Sequence, residues 1–260
     1  VSTITLNQYS GNGAIQSGRF RSNSIGTDFI ITDSKYVTLI TDDGTGTGNF
    51  FQQLLYSYQS EIYNRSVVVG DIDGDGLTDF ACSGQNQYEI FVFFNSSNGF
   101  SEQNRKTIPI TYSFYGILNL ADIGDINKDG RLDILIPDGN SKGVQPHILL
   151  NDISGRYQQP TFQALPAHIL ISGKIADING DGNADILGNR GNFIEAYINN
   201  GTGQFLENDV HLLGITGSAA SITVNDFDAD LDADIGVSVY NGGIQTFSNI
   251  NTPLPIISAP

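Results

Sequence analysis

The chain has 260 residues, 28 acids against 12 bases and a formal charge of −16. That balance disfavours a nucleic-acid partner, because phosphate binding needs clustered Lys and Arg, and no apolar run approaches the roughly 18 residues of a membrane-spanning helix. Hydrophobic residues at 39%, with 15 Phe and 11 Tyr, supply a sizeable core for one large domain or two small ones, and 30 glycines point to many tight turns. Residue 1 is Val and Met is absent throughout, which reads as a processed or excised chain. The lone cysteine, Cys82, lies in an apolar strand pattern and reads as a small buried hydrophobe, so no disulfide framework is expected.

In chain order, "ITL" (Ile4 to Leu6) reads as a strand, followed by "GRFRSNSIGTDFII" from Gly18 and the Gly-rich turn "DDGTGTGNF" (Asp42 to Phe50). The connection "LLYSYQSEIYNRS" (Leu54 to Ser66) leads to "GDIDGDGLTDFAC" from Gly70, the run "EIFVFF" and the turn "NSSNGF" (Asn95 to Phe100). Then come "TIPI" (Thr107 to Ile110), the connection "TYSFYG" (Thr111 to Gly116), the run "ILNLA", "GDINKDGRLDILI" from Gly124, "HILLN" and "NDISGRY" (Asn151 to Tyr157). "ADINGDGNADILG" from Ala176 and "NNGTGQF" (Asn199 to Phe205) repeat the scheme. "NDFDADLDADIGV" from Asn225 opens the last copy, which ends near "IQTFSNI" (Ile244 to Ile250). The first aspartates of the four acidic copies recur at intervals of 54, 52 and 49 residues, and the copy at Gly18 is a decayed one, 52 residues before Gly70.

The apolar runs are short and rich in Val, Ile, Phe and Tyr, with no sustained 3.6-residue period, so they read as strands. About 50 residues carrying four short strands make a propeller blade, because a single four-stranded sheet cannot bury both faces alone. The predicted fold is therefore an all-β propeller of five blades, as one domain: 7–58, 59–110, 111–165, 166–213, and 214–260 with strand 1–6. The last copy is one strand short and the N-terminal strand lacks a blade, so the two are expected to join and close the ring, removing exposed edges. A fragment of a larger ring is the alternative.

The acidic loops carry the chemistry. In the second copy Asp71, Asp73 and Asp75 stand at positions 1, 3 and 5, Gly76 permits a sharp turn at 6, Leu77 offers its carbonyl at 7 and Asp79 a carboxylate at 9. Oxygen ligands at this spacing suit a hard cation of six to eight coordination, calcium first and magnesium second; with no His or Cys in the loops, zinc and copper are disfavoured. The next loop offers Asp125, Asn127, Asp129, Asp133 and the Arg131 carbonyl, and the third Asp177, Asn179, Asp181, Asp185 and the Asn183 carbonyl. The fourth has Asp226, Asp228, Asp230, Asp234 and the carbonyl of Asp232, with Leu231 in place of glycine. In the first copy Arg19 and Arg21 replace the first two aspartates; no ion is expected there, and a guanidinium is expected to pair with Asp28. An EF-hand or dockerin loop needs a bidentate Glu at position 12 and flanking helices; Cys82, Ile136, Gly188 and Val237 stand there instead. A plain Asp/Gly turn is a poor account of four copies in register. The four loops hold 15 of the 28 acids, and four Ca²⁺ ions would halve the charge of −16, so the ions are read as structural.

"DIDGDGLTDF", "DINKDGRLDIL" and "DINGDGNADIL", with "NNGTGQF" downstream, resemble FG-GAP/VCBS repeats. These repeats occur in the propeller of integrin α-subunits, in fungal lectins and in secreted bacterial proteins, and the resemblance covers nearly the whole chain. It implies calcium at the acidic loops and a ligand face opposite them, as in integrins. Family members usually form seven blades, where the copies here count five. Some polysaccharide lyases of this family also use calcium-rich propellers.

On that opposite face the aromatics Tyr58, Tyr63, Tyr112, Phe114 and Tyr115 are candidates to stack on sugar rings or anchor a protein, the alternative being that they fill gaps between blades. Arg190 and Arg65 are candidates for an acidic group. His147, His168 and His211 lie apart with no catalytic partners, so no enzyme is expected. Sequons at Asn64, Asn95 and Asn200 matter only in a eukaryotic secretory pathway. The combined expectation is an extracellular or surface calcium-binding module that recognises a glycan or protein surface, without nucleic acid or membrane insertion. The alternatives are a scaffold domain of a larger adhesin or toxin, then a polysaccharide-acting enzyme.

Overall fold

The computed structural model describes residues 13–21, 27–45, 49–59, 66–84, 88–111, 118–137, 145–166, 170–206, 210–240 and 242–248. Five antiparallel sheets are the blades of an all-β propeller. The first sheet is β1 (Ala14–Gly18), β2 (Asp28–Thr32), β3 (Tyr36–Asp42) and β4 (Phe50–Ser57). The second is β5 (Val67–Gly70), β6 (Asp79–Ser83), β7 (Glu89–Phe93) and β8 (Arg105–Pro109), with a single 3₁₀ turn at Glu102–Asn104 before β8. The third is β9 (Asp122–Gly124), β10 (Asp133–Ile136), β11 (His147–Leu150) and β12 (Thr161–Ala164), and the fourth β13 (Gly173–Ala176), β14 (Asp185–Arg190), β15 (Phe193–Tyr197) and β16 (Val210–Gly214). The fifth has three strands among the described residues, β17 (Ala219–Asn225), β18 (Asp234–Val239) and β19 (Gly243–Phe247). Strands follow one another in sheet order, as hairpins and short loops require. The expected closure by Ile4 to Leu6 lies outside the described residues.

The chain forms two compact units, Val1–Leu120 with Asn151–Thr161, and Ala121–Leu150 with Phe162–Pro260. In the first, Phe20, Ile30, Val37, Leu39, Tyr58, Phe80, Cys82, Phe91, Phe93 and Phe100 form one apolar cluster. The second unit holds two such clusters, around Ile126, Leu135, Leu170 and Tyr197, and around Leu187, Ile194, Ile222 and Val237. The middle strands are buried along their length: all five residues of β6 and all four of β10 are buried. Sheets covered on both faces read as continuous apolar runs, which is why "DFACS" and "DILI" show no alternation. Close approach selects small residues; a Cβ on Gly188 of β14 would stand 2.2 Å from Leu170.

Two sequence expectations change here. Leu54–Ser57, read as a connection, belongs to β4. Leu118 to Ala121, read as a strand, lies outside the sheets. The Leu118 carbonyl instead accepts a hydrogen bond from Ser83 Oγ (3.0 Å), and the Leu120 N–H donates to Ser66 Oγ (2.6 Å). Buried backbone groups must find partners; serine hydroxyls serve Leu118 and Leu120, while the Ala121 N–H donates to the Leu135 carbonyl of β10 at 2.9 Å.

Candidate metal-binding loops

Each acidic loop joins the first two strands of its blade. The turn at 95–104 joins β7 to β8, so it lies at the same end of its sheet as the Asp71–Asp79 loop. The last aspartate of each loop, Asp79, Asp133, Asp185 and Asp234, opens the second strand and is at most 1% exposed. One of its oxygens accepts the N–H of the second loop residue: Ile72 (2.9 Å), Ile126 (3.1 Å), Ile178 (3.1 Å) and Phe227 (2.8 Å). In two blades the other oxygen accepts the N–H of the asparagine that opens the later turn, Asn95 onto Asp79 (2.7 Å) and Asn199 onto Asp185 (2.7 Å).

The loop closes on itself through its own carboxylates. Asp71 Oδ2 accepts the Gly76 N–H (2.9 Å), and Asp75 Oδ1 accepts the Leu77 N–H (2.9 Å). The other loops reproduce this, with Gly130 on Asp125 (2.9 Å), Gly182 on Asp177 (2.8 Å) and Leu231 on Asp226 (3.1 Å). Asn127 and Asn179 accept the N–H two residues on, from Asp129 (3.2 Å) and Asp181 (3.0 Å). Asp71 and Asp75 are thus tied to backbone through one oxygen each, whereas Asp125, Asp177 and Asp226 accept loop N–H groups on both oxygens.

Two left-handed residues make the bend, at positions 4 and 6: Gly74 and Gly76, Lys128 and Gly130, Gly180 and Gly182, Ala229 and Leu231. Residue type marks position 6 more plainly than position 4, where Lys128 and Ala229 hide the pattern set by Gly74 and Gly180. Leu231 keeps the glycine conformation at φ 74°. That conformation costs an L-residue about 1–2 kcal/mol, and at 93% exposure Leu231 recovers nothing by packing. Leu231→Gly is expected to raise stability by about 0.5–1 kcal/mol after the added chain entropy of glycine; an unchanged or lower urea midpoint would contradict this.

Among the described residues two loops bring three carboxylates together: Asp71, Asp73 and Asp79, and Asp226, Asp228 and Asp230, each set with oxygens within 4.8 Å of one another. These groups suit a cation. The clearest sign is Asp73, whose side chain is 6% exposed and whose Oδ1 is buried without a hydrogen-bond partner; such an oxygen is costly unless a cation completes it. Burial pushes the Asp79 carboxyl up to about 7, with the charge of Asp73 adding to it. Burial likewise pushes Asp185 to about 6, helped by Asp181 and Asp177. In the fourth loop desolvation and neighbouring aspartates raise Asp228 and Asp232, and both Asp232 carboxylate oxygens turn out of solvent, so this residue brings a carboxylate to the loop besides the carbonyl expected of it. In the Asp125 loop the Arg131 side chain pairs with Asp129, while the Arg131 N–H donates to Asp129 Oδ1 (3.0 Å).

The first copy has no acidic loop. Arg21 Nη2 lies 2.9 Å from Asp28 Oδ1 and Nε 3.4 Å from Oδ2, as expected, and Nη2 also donates to the Asp42 carbonyl. Asp28 opens β2 as Asp79 opens β6, so the guanidinium stands on the carboxylate that the other loops present.

Asparagines bind the loops at Phe20, Ile72 and Ile126 to the following repeat. Asn95 Nδ2 donates to the Phe20 carbonyl (2.7 Å) and the Thr78 carbonyl (3.1 Å), and Asn199 Nδ2 to Ile126 (2.6 Å) and Ala184 (2.9 Å). Asn151 Nδ2 reaches the Ile72 carbonyl at 3.4 Å. An Asn at the head of three of the quoted turns was the available signal. This use of Nδ2 buries the Asn95 sequon at 1% exposure, whereas Asn200 is exposed; Asn64 lies outside the described residues.

Of the ligand-face candidates, Tyr63, Arg65, Tyr112, Phe114 and Tyr115 lie outside the described residues, as does His168. Tyr58 is corrected: at 2% exposure it fills the core, stacked on Phe91 (centroids 6.3 Å apart), its hydroxyl donating to the Ser83 carbonyl at 2.8 Å. Arg190 Nη1 is held by the buried Glu195 (3.1 Å), which also accepts the Tyr197 hydroxyl (2.6 Å). At the end of the sheets remote from the acidic loops, Phe193 and Tyr240 are exposed at 38% and 67%.

A family model described as FG-GAP-like repeat matches residues 26–82, 71–136 and 144–237, more than half of the chain. Integrin alpha-PS5 of Drosophila melanogaster is 28% identical over 204 residues, 66% of this chain and 20% of that protein. Among solved structures, a lectin of Agrocybe aegerita, described as recognising non-reducing terminal N-acetylglucosamine, superposes with TM-score 0.57 at 15% identity over 92% of this chain and 63% of that one. The biofilm matrix protein Bap1 of V. cholerae gives 0.52 at 18% identity, over 94% and 38%. At these identities the structural likeness is one of fold. The chain spans a fifth of the integrin and less than two thirds of either solved chain.

Proposed function

The chain belongs to the FG-GAP-like repeat family, and from that we propose that it is an extracellular, calcium-stabilised recognition module that binds a glycan or protein surface and performs no chemistry of its own. The observation that carries the calcium reading is the Asp71, Asp73 and Asp79 cluster with the unpartnered Oδ1 of Asp73. Asp71, Asp73, Asp75 and Asp79 with the Leu77 carbonyl would hold the ion, and the corresponding residues serve the other loops. The ion supplies positive charge that offsets buried carboxylates and fixes the first two strands of a blade; the protein's own N–H groups orient the ligand oxygens. Millimolar calcium outside cells fills sites of modest affinity, which supports an extracellular setting.

The recognition surface in this reading lies opposite the acidic loops. Phe193 and Tyr240 are exposed there on neighbouring turns, which the chain joins through the Ala219 N–H on the Gly191 carbonyl (2.8 Å) and the Tyr240 N–H on the Ser218 carbonyl (2.9 Å). Exposed rings of this kind stack on sugar faces or anchor a partner. A glycan array probed with calcium and with chelator tests it. The expected result is calcium-dependent binding of a defined sugar class, weakened about tenfold by Tyr240→Ala. Silence of the folded, calcium-loaded protein would favour the second reading, a scaffold domain of a larger protein, which the one-fifth coverage of the integrin supports.

A further inference from the structure

We propose that Arg156, supplied by the turn between β11 and β12, is a positioning residue for the cation of the Asp71–Asp79 loop: it holds one oxygen of Asp73 so that the other is offered to the ion. The inference rests on the calcium reading above. Arg156 Nε and Nη2 both donate to the same oxygen, Asp73 Oδ2, at 2.9 and 2.6 Å. The remaining oxygen, Oδ1, is the buried one without a partner.

A guanidinium beside an acidic loop can replace the cation or aim a ligand at it, and the two leave different geometry. Arg21 shows replacement: it spreads over both oxygens of Asp28. Arg156 converges on one oxygen and leaves the other. Ligand carboxylates in metal sites are commonly fixed in this way, by a hydrogen bond to the oxygen that does not face the ion.

The arginine is itself held in place. Its guanidinium lies 4.7 Å from the Phe94 ring centroid. The turn carrying it lies beside the loop, so that a Cβ on Gly155 would be in van der Waals contact with the Asp73 backbone at 3.4 Å. Asn151 Nδ2 adds its bond to the Ile72 carbonyl. The matching residue of the next repeat is Gln204, whose amide donates to Gln163 Oε1 at 3.2 Å. The sites are therefore not equivalent, and filling of the Asp71–Asp79 loop depends on a residue 83 positions away from Asp73.

The test is calorimetric titration of the full chain with calcium, using the unaltered protein, Arg156→Gln, Arg156→Lys, Asp73→Asn and the double variant Asp73→Asn/Arg156→Gln. Arg156→Gln is expected to weaken one site about 10- to 100-fold and leave the rest unchanged. Arg156→Lys, which keeps a charged donor, should recover part of that loss. Once Asp73→Asn has removed the site, Arg156→Gln should add nothing, which assigns the effect to this loop. Unchanged or tighter binding in Arg156→Gln overturns the proposal, tighter binding meaning that the guanidinium competes. If that variant does not fold, Arg156→Lys decides alone: weakened binding at one site supports the proposal and wild-type binding overturns it. Absence of calcium binding by the unaltered protein defeats the calcium reading itself, and this proposal with it.

Discussion

Chelation of divalent ions is expected to lower the melting temperature by about 10 °C or more, an effect reversed by millimolar calcium. An ion at 100 times its dissociation constant stabilises the native state by about 2.7 kcal/mol per site, and about 2–4 °C accompanies each kcal/mol in a chain of this size. Two well-filled sites already reach the stated shift. The loops give the ion this leverage because they are wired into the blades. Asp79 holds the Ile72 N–H within its loop and the Asn95 N–H of the later turn, and Asn95 reaches the Phe20 carbonyl of the preceding repeat. The expected readout is a calorimetric scan with and without chelator; coincident scans would remove the structural role assigned to calcium.

The metal-free protein should also show an unusual pH dependence. Burial raises the folded-state pKa of Asp79 to about 7 and that of Asp185 to about 6, from the ordinary carboxylate value of 3.8. An acid whose folded pKa is raised contributes stability that is complete below the unfolded value and is lost as pH rises through the folded one. Chelated protein should therefore melt higher at pH 5 than at pH 7.5. With calcium present the slope reverses, because protons compete with the ion for the same oxygens.

Much of the site is legible because its chemistry is written in spacing. The oxygen at every second position, from Asp71 to Asp79, needs no tertiary information to suggest a cation. The middle strands are equally plain, since a sheet covered on both faces spells an unbroken apolar run such as Ile90 to Phe93. What escapes the sequence depends on contacts between repeats. Tyr58 reads as a loop aromatic until β4 is seen to run to Ser57 and deliver the ring onto Phe91. Arg156 carries no local mark, because its partner is 83 residues away. Lys128 and Ala229 take left-handed conformations that their residue types disfavour, and only the loop geometry imposes them.

Arg21→Met is expected to cost about 3 kcal/mol, the lower end for breaking a buried ion pair, because the arginine side chain is 38% exposed while Asp28 is wholly buried. That corresponds to a fall of about 6–12 °C in melting temperature. The loss arises from the carboxylate left behind, together with the Asp42 carbonyl that Arg21 also serves. Adding Asp28→Asn should therefore restore part of it, since the neutral amide no longer carries a stranded charge. The decisive feature is indifference to calcium. The first copy lacks the aspartates that gather a cation elsewhere, and its positive charge is covalently attached, so the loss should be the same in excess calcium and in chelator. An Asp71→Ala variant should behave in the opposite way, losing stability in calcium and little in chelator. If calcium rescued Arg21→Met, the guanidinium would not be standing in for an ion, and the comparison drawn between Asp28 and Asp79 would fail.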